Sequence, residues 1–379
     1  MGFLAYLEVK KDANRGSFAQ RYGTVVLTEI WKNYKRNDIQ EDGRTVDRSQ
    51  NFLTTSEGQS YSLLRAVWVD DKEVFDRVLN WTENNLQKRG DNLFSWKWGQ
   101  RVDGSWGVLD EEGGLNTASD ADLDIALALI MANKRWNDPA YLEEALEILD
   151  DVWNSEIVFI QQRPYLVAGN WATEEDRPTL NPSYYNFAAY NIFSEVDPPH
   201  DWMAVKETSY EVLNKSTYLL PPDWISIDRE TTDLYLVEIN GRSNGFSDDA
   251  IRIPWRVGLD WEWHRDPRAL DYLNKLTFLS GEWESNGAIF RSYDREGNVL
   301  DSTESLSTYG AVLPYFQIVM PDQAEEIYVE KLASAYNPDE LDFSDNNGYY
   351  SKNWGWFGMA FYNDRLVNLY QNWKEAYER

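Results

Sequence analysis

The sequence predicts an all-α fold, an (α/α)6 barrel in which six apolar helices are ringed by six amphipathic ones, with a few short strands in loops. Three observations carry this. Helical periodicity is frequent and strand patterns are scarce. Helix starts made of small or aromatic residues recur at intervals of roughly 60 residues, the size of one helical hairpin with its loops. Strongly apolar helices alternate with charged, amphipathic ones, and a helix that is apolar nearly all round belongs inside.

In chain order the inner starts are Glu57-Gly58-Gln59-Ser60, Asp120-Ala121-Asp122, Tyr184-Tyr185-Asn186, Asp249-Ala250, Thr308-Tyr309-Gly310 and Trp354-Gly355-Trp356. The second runs into Asp124-Ile125-Ala126-Leu127-Ala128-Leu129-Ile130, and the last into Phe357-Gly358-Met359-Ala360-Phe361. Lys72 to Arg89 and Pro139 to Trp153 read as outer helices, polar on one face. Short strands are expected at Trp106 to Leu109, Leu234 to Ile239 and Ala288 to Tyr293. No boundary interrupts the pattern, so residues 1–379 read as one domain, with Asp228 to Ser247 a long polar excursion. An open α-solenoid is the architectural alternative, and the count of six favours closure.

Composition narrows the chemistry. The chain has 36 basic and 64 acidic residues and a net charge of −28, which argues against nucleic acid and anionic membrane surfaces as partners and suits a neutral ligand. It has no cysteine and two histidines, His200 and His264, which read as a loop residue and a structural one. A thiolate or histidine metal site, a cysteine nucleophile and a Ser-His-Asp triad are therefore disfavoured, and neither metal nor cofactor is expected. Carboxylates remain for acid–base work. No run approaches the roughly 20 apolar residues that span a bilayer. Met1 to Tyr6 lacks the basic start and cleavage site of a signal peptide. An extracellular or cell-surface protein whose leader is absent from the chain is expected, with the cytoplasm as alternative, and a monomer.

Aromatics make up 15% of the chain, with 18 tryptophans and 23 tyrosines, and many stand in polar segments such as Phe94-Ser95-Trp96-Lys97-Trp98-Gly99. Flat rings with a polar edge suit sugar faces, which points to carbohydrate. Candidate platforms are Trp96, Trp98 and Trp106 before the second inner helix, Trp171 before the third, Tyr184 and Tyr185 at its start, and Tyr349 and Tyr350 before the last. Trp255, inside a helix, is expected to pack.

Three of the six inner starts carry an acid. A helix N-terminus favours an acid structurally, so any one of them also reads as a cap. Collected at one end of a barrel, they would form a cleft for glycoside hydrolysis, which needs one protonated and one ionised carboxyl across the scissile bond.

The segment Thr55-Ser56-Glu57-Gly58-Gln59-Ser60-Tyr61-Ser62-Leu63-Leu64-Arg65-Ala66 resembles the signature helix of glycoside hydrolase family 8. Ala118-Ser119-Asp120-Ala121-Asp122-Leu123-Asp124-Ile125-Ala126 and Asp249-Ala250-Ile251-Arg252-Ile253-Pro254-Trp255-Arg256 are similar to that family's further motifs, in family order, and the likeness extends from about Tyr22 to Tyr370. The resemblance implies an (α/α)6 barrel and an inverting mechanism on β-linked glycans. It implies Glu57 as general acid, Asp249 as the base that activates water, and Asp120 as the group that binds the distorted sugar and stabilises the transition state. Arg252 would hold Asp249 ionised. Asp248 adjoins Asp249, which is preferred as base because it directly precedes the Ala-x-Arg segment. Gly58 and Gln59 would let the helix start approach substrate. An endo-β-1,4-glucanase on cellulose or mixed-linkage β-glucan is the first expectation. A hydrolase of a bacterial exopolysaccharide, a xylanase or a chitosanase of the same family is the alternative, and a glycan-binding barrel is the non-enzymatic one.

Overall fold

A computed structural model describes residues 15–173, 176–239, 244–344 and 348–372, so Met1 to Tyr6 lies outside the described residues. The six inner helices are α2 (Ser56–Trp68), α4 (Ser119–Trp136), α6 (Phe187–Val196), α8 (Ile253–His264), α11 (Leu306–Val319) and α13 (Gly348–Tyr362). Their partners outside are α1 (Arg15–Asn37), α3 (Lys72–Leu86), α5 (Pro139–Ser155), α7 (Trp202–Ser216), the pair α9 (Pro267–Leu273) and α10 (Thr277–Asn286), and α12 (Pro321–Ile327), which continues as one wide turn over Tyr328–Ala333. A last short helix, α14, spans Leu369–Asn372.

Residue patterning explains the two rings. Every residue of α4 from Ser119 to Ala132 is buried, as an inner position demands. In α5 only Tyr141, Ala145, Ile148, Leu149 and Val152 are buried, one face at helical spacing, and Asp138 with Pro139 starts the helix. Around the inner ring, α2 packs on α4, α6 on α8, α8 on α11, α11 on α13 and α13 back on α2. The α4 and α6 neighbours are joined where Asn186 donates to Asp124 at 2.8 Å. The ring therefore closes, as the six-fold pattern predicts. Helices α11 and α13 touch backbone to backbone: a Cβ on Gly358 would lie 2.4 Å from the Gly310 Cα.

The strands are short and lie in connections. Strands β1 (Thr54–Thr55), β2 (Lys97–Gln100) and β3 (Trp106–Val108) form one antiparallel sheet. Strands β4 (Ile157–Ile160) and β5 (Arg163–Leu166) form a hairpin, and β6 (Thr179–Leu180), β7 (Ile225–Ile227) and β8 (Leu234–Leu236) a second three-stranded sheet. Two short pairs complete the set among the described residues, β9 (Ser292–Tyr293) with β10 (Val299–Asp301) and β11 (Tyr336–Asn337) with β12 (Asp342–Phe343).

The predicted strand over Ala288 to Tyr293 shrinks to its last two residues, and that over Leu234 to Ile239 ends at Leu236. Helix α3 stops three residues before the predicted Arg89, because Ser95 N–H takes the Leu86 carbonyl at 2.9 Å and turns the chain back. The β4–β5 hairpin is not foreseen: its turn places Gln161 and Gln162 at φ 50° and 66°, a conformation that Asn-Gly usually signals.

Candidate active site

Three inner helices point their N-terminal ends, and one carboxylate each, at a single guanidinium. Glu57 lies in the first turn of α2, capped by the Thr55 hydroxyl, which accepts from Gly58 N–H at 3.0 Å. Asp120 lies in the first turn of α4. Asp249 precedes the tight turn Ala250–Arg252 that leads into α8. Arg252 Nη1 donates to Glu57 Oε2 at 2.8 Å and to Asp120 Oδ2 at 3.0 Å, while Nη2 donates to Asp249 Oδ1 and, at 2.7 Å, to the Ser183 hydroxyl. The planar fork of arginine, with its five donors, is the side chain that can span three acids at once.

Side-chain exposure separates the acids. Asp120 is 3% exposed and Arg252 1%, whereas Glu57 and Asp249 keep 21% and 23% open to solvent. Burial, followed by the Asp249 charge, raises Glu57 against the pull of Arg252. Burial pushes Asp120 up to about 7, with the Arg252 charge opposing. Burial lowers Arg252, and the surrounding anions more than reverse this, so it stays charged. A second bidentate pair lies one helical turn further along α8, where Arg256 grips Asp124 at 2.6 and 2.7 Å.

Tyr349 donates to Glu57 Oε1 at 3.0 Å and lies 3.0 Å from the Thr55 hydroxyl. That chain is reversible. When Glu57 carries a proton on Oε1, the tyrosine oxygen accepts it and the tyrosine hydrogen turns to Thr55. Both protonation states of Glu57 are therefore satisfied. Tyr349 is thus a buried partner of the acid, where a sugar platform is the sequence expectation. Its ring fits because Gly58 lacks a Cβ, which would meet Tyr349 Cε2 at 3.2 Å. Gln59 faces away from the cleft: it accepts from Thr45 N–H at 2.6 Å and donates to Thr82 at 2.7 Å, tying the preceding loop to α3.

The adjacent acids part company. Asp249 faces Arg252, whereas Asp248 is an outer residue paired with Arg291 at 3.2 Å. Tyr350 donates to the Asp248 carbonyl and so latches this segment to α13.

The other aromatics fall into two sets. Ser56 N–H donates to the Trp96 carbonyl at 3.1 Å, which sets Trp96 beside the start of α2. In the same sheet Trp98 and Trp106 stack at 5.4 Å, with the Arg44 guanidinium over both rings, and Trp106 is 44% exposed. On the Asp249 side, Trp171 and Tyr184 surround Trp224, at 6.5 and 5.7 Å between ring centroids. Tyr185 is a correction to the sequence reading. It is 2% exposed and packs edge-on to Phe187 at 5.9 Å, so no sugar reaches it. Trp255 packs in the core, and His264 bonds the Ala188 carbonyl at 2.9 Å, both as expected.

Several residues escape the sequence reading. Trp224 Nε1 donates to Asp249 Oδ2 at 3.1 Å, so the two oxygens of Asp249 are held from opposite sides by Trp224 and Arg252. Asp223, buried behind them, accepts from Ala250 N–H at 2.7 Å and Ser247 N–H at 3.2 Å; burial and the Asp249 charge push it up to about 7. Tyr61 and Ser183 complete the shell around Arg252. The available signal was Pro221-Pro222-Asp223-Trp224, an aromatic beside an acid in a polar loop. Among the described residues, no group of three or more His, Cys, Asp or Glu is placed to hold a metal ion, and no helix is long and apolar enough to cross a membrane.

Comparison with known proteins gives a consistent set of relatives. The family profile described as "Glycosyl hydrolases family 8" matches residues 17–292. An endoglucanase of Xanthomonas axonopodis pv. citri is 36% identical over 236 residues, covering 61% of this chain and 59% of that protein. An endoglucanase of Escherichia coli K12 is 29% identical over 293 residues, covering 76% of this chain and 77% of its own length. Among solved structures, the endo-1,4-D-glucanase of Vibrio fischeri ES114 superimposes with a TM-score of 0.77 at 28% identity, over 88% of this chain and 94% of that one.

Proposed function

The chain belongs to the glycosyl hydrolases of family 8, and from that premise we propose that it is an inverting endo-β-1,4-glucanase in which Glu57 is the general acid, Asp249 the general base and Asp120 the stabiliser of the transition state. The observation that carries this reading is the Arg252 guanidinium bonded to all three carboxylates. Glu57 and Asp249 contact different nitrogens of it, so one planar group separates them. An inverting pair needs roughly 6.5–9.5 Å between its carboxyls to admit the attacking water, against about 5–5.5 Å for a retaining pair.

The chemistry follows from the environments. Burial and the nearby Asp249 charge favour a protonated Glu57, which delivers its proton to the departing glycosidic oxygen. Arg252 and Trp224 hold and aim the two oxygens of Asp249, which removes a proton from the water that attacks the opposite face of the sugar. Asp120, an acid on the positive end of α4, offsets the charge of the oxocarbenium-like transition state. The aromatic sets beside α2 and beside Asp249 supply stacking surfaces for the flat faces of a glucan chain on either side of the cut.

Product anomers followed by proton NMR test the mechanism, and a panel of carboxymethylcellulose, lichenan, xylan and chitosan with product sizing tests the substrate. The α-anomer is expected first, with internal cuts in carboxymethylcellulose or lichenan. A β-anomer appearing first removes the inverting assignment. Trp106→Ala removes an exposed ring worth about 1 kcal/mol of stacking, so KM for a long glucan should rise about fivefold while kcat holds. An unchanged KM would place the polymer elsewhere.

A further inference from the structure

Below the cleft, two acids outside the mechanism meet in the dry interior. Asp122 lies one half-turn beyond Asp120 on α4, and Glu156 opens the chain into β4; both are fully buried. Asp122 Oδ1 accepts from Phe94 N–H at 3.0 Å, and Glu156 Oε1 accepts from the Thr117 hydroxyl. Their remaining oxygens, Asp122 Oδ2 and Glu156 Oε2, find no donor, although the two side chains are within hydrogen-bonding reach of each other. Two facing carboxylate oxygens repel unless a proton lies between them, and an unmatched buried anion is costly.

We infer that Asp122 and Glu156 share one proton, and that this carboxyl–carboxylate bond clamps the two aromatic walls and Asp120 into one register. The connections run outward from the pair. Phe94 is two residues from Trp96, whose N–H donates to the Asn116 carbonyl at 2.8 Å. Thr117 N–H donates to the Asn170 side chain at 2.8 Å and its hydroxyl accepts from Asn170 N–H at 2.9 Å, next to Trp171. Asp120 shares the first turn of α4 with Asp122. The pair is a positioning device and touches no substrate.

The surroundings set its titration. Burial is the largest influence on both acids, and Asp120 raises both; Arg89 opposes this at Glu156, which is pushed up to about 8, and Asp122 lies well above the carboxylate range. A carboxyl whose pKa is raised by folding contributes stability that is complete below its unfolded pKa and is lost as pH rises through the folded value. Glu156 gives up its proton first, as pH passes about 8, and the pair then holds the single proton of Asp122; the clamp loosens above that, as Asp122 in turn ionises.

The proposal rests on the hydrolase reading only for its activity readout, and the test separates the two. Glu156→Gln replaces the shared proton by an amide N–H that donates to Asp122 at every pH. Melting temperature between about pH 6 and 9.5 is expected to fall for the wild-type chain and to flatten for E156Q. On soluble β-glucan, E156Q should retain turnover near neutrality, with the alkaline limb of kcat/KM moved up by at least one pH unit. Glu156→Ala should lose at least tenfold in kcat throughout. If E156A fails to fold, E156Q alone decides. Melting curves of E156Q that superimpose on the wild type overturn the shared proton. A flattened curve with an unmoved activity limb overturns its hold on the walls. If no glucan is cleaved by the wild type, the hydrolase reading fails while the melting comparison still decides the clamp.

Discussion

Glu57→Gln is expected to lower kcat on a β-glucan by about 10³-fold, within the range a positioned general acid contributes, while leaving the fold intact. The amide keeps the volume of the carboxyl, can accept from Arg252 Nη1, and carries no charge into a site that already disfavours one. Its melting temperature should therefore match or exceed that of the wild type. The loss should depend on the leaving group. An aryl β-glycoside with an acidic phenol departs without a proton, so E57Q should cleave it with a much smaller deficit than it shows on polymer. A base variant would be impaired on both. Wild-type turnover of polymer by E57Q removes Glu57 as the acid.

The second large effect is expected at Arg252. Replacing it with alanine strips three clustered acids of their shared cation, and removing one partner of a buried ion pair costs about 3–5 kcal/mol. Glu57 and Asp120 would then rise further and take up protons, and Asp249 would lose the donor that holds its Oδ1 in place. Turnover and stability should fall together. The sign with pH is definite: groups raised by folding lose their stabilising contribution as pH rises, so the melting deficit of R252A should be small near pH 4.5 and widen toward about pH 8. Arg252→Lys keeps the charge, but one compact ammonium cannot span three acids, and an intermediate loss is expected. Thermal melting against pH, with kcat/KM on the same protein, checks both. A deficit independent of pH would mean that Arg252 acts by packing alone.

Much of this architecture is legible in the sequence because burial writes itself into periodicity. The unbroken apolar run of α4 and the one-sided pattern of α5 are direct consequences of inner and outer position. The acids are legible for a related reason, since they stand at the starts of such helices. What escapes is what depends on direction. Tyr184 and Tyr185 are indistinguishable in sequence, yet the tight turn at Pro182–Tyr184 leaves one ring beside Arg252 and sends the next into the core. Tyr349 and Gln59 reveal their partners only once elements far apart in the chain have met. Trp224 lies in a loop with no period at all, and the Gln161-Gln162 turn uses residues that carry no turn preference.

The bond between Tyr349 and Glu57 joins residues 292 positions apart in the chain. Ribosomal synthesis delivers Glu57 well before Tyr349, so the nascent polypeptide holds this carboxyl without the group that sets it until α13 has emerged. Contacts of such long span also place closure of the ring among the late, slow events of folding. Catalytic competence should accordingly appear all at once on docking of α13, with helical content rising well ahead of it.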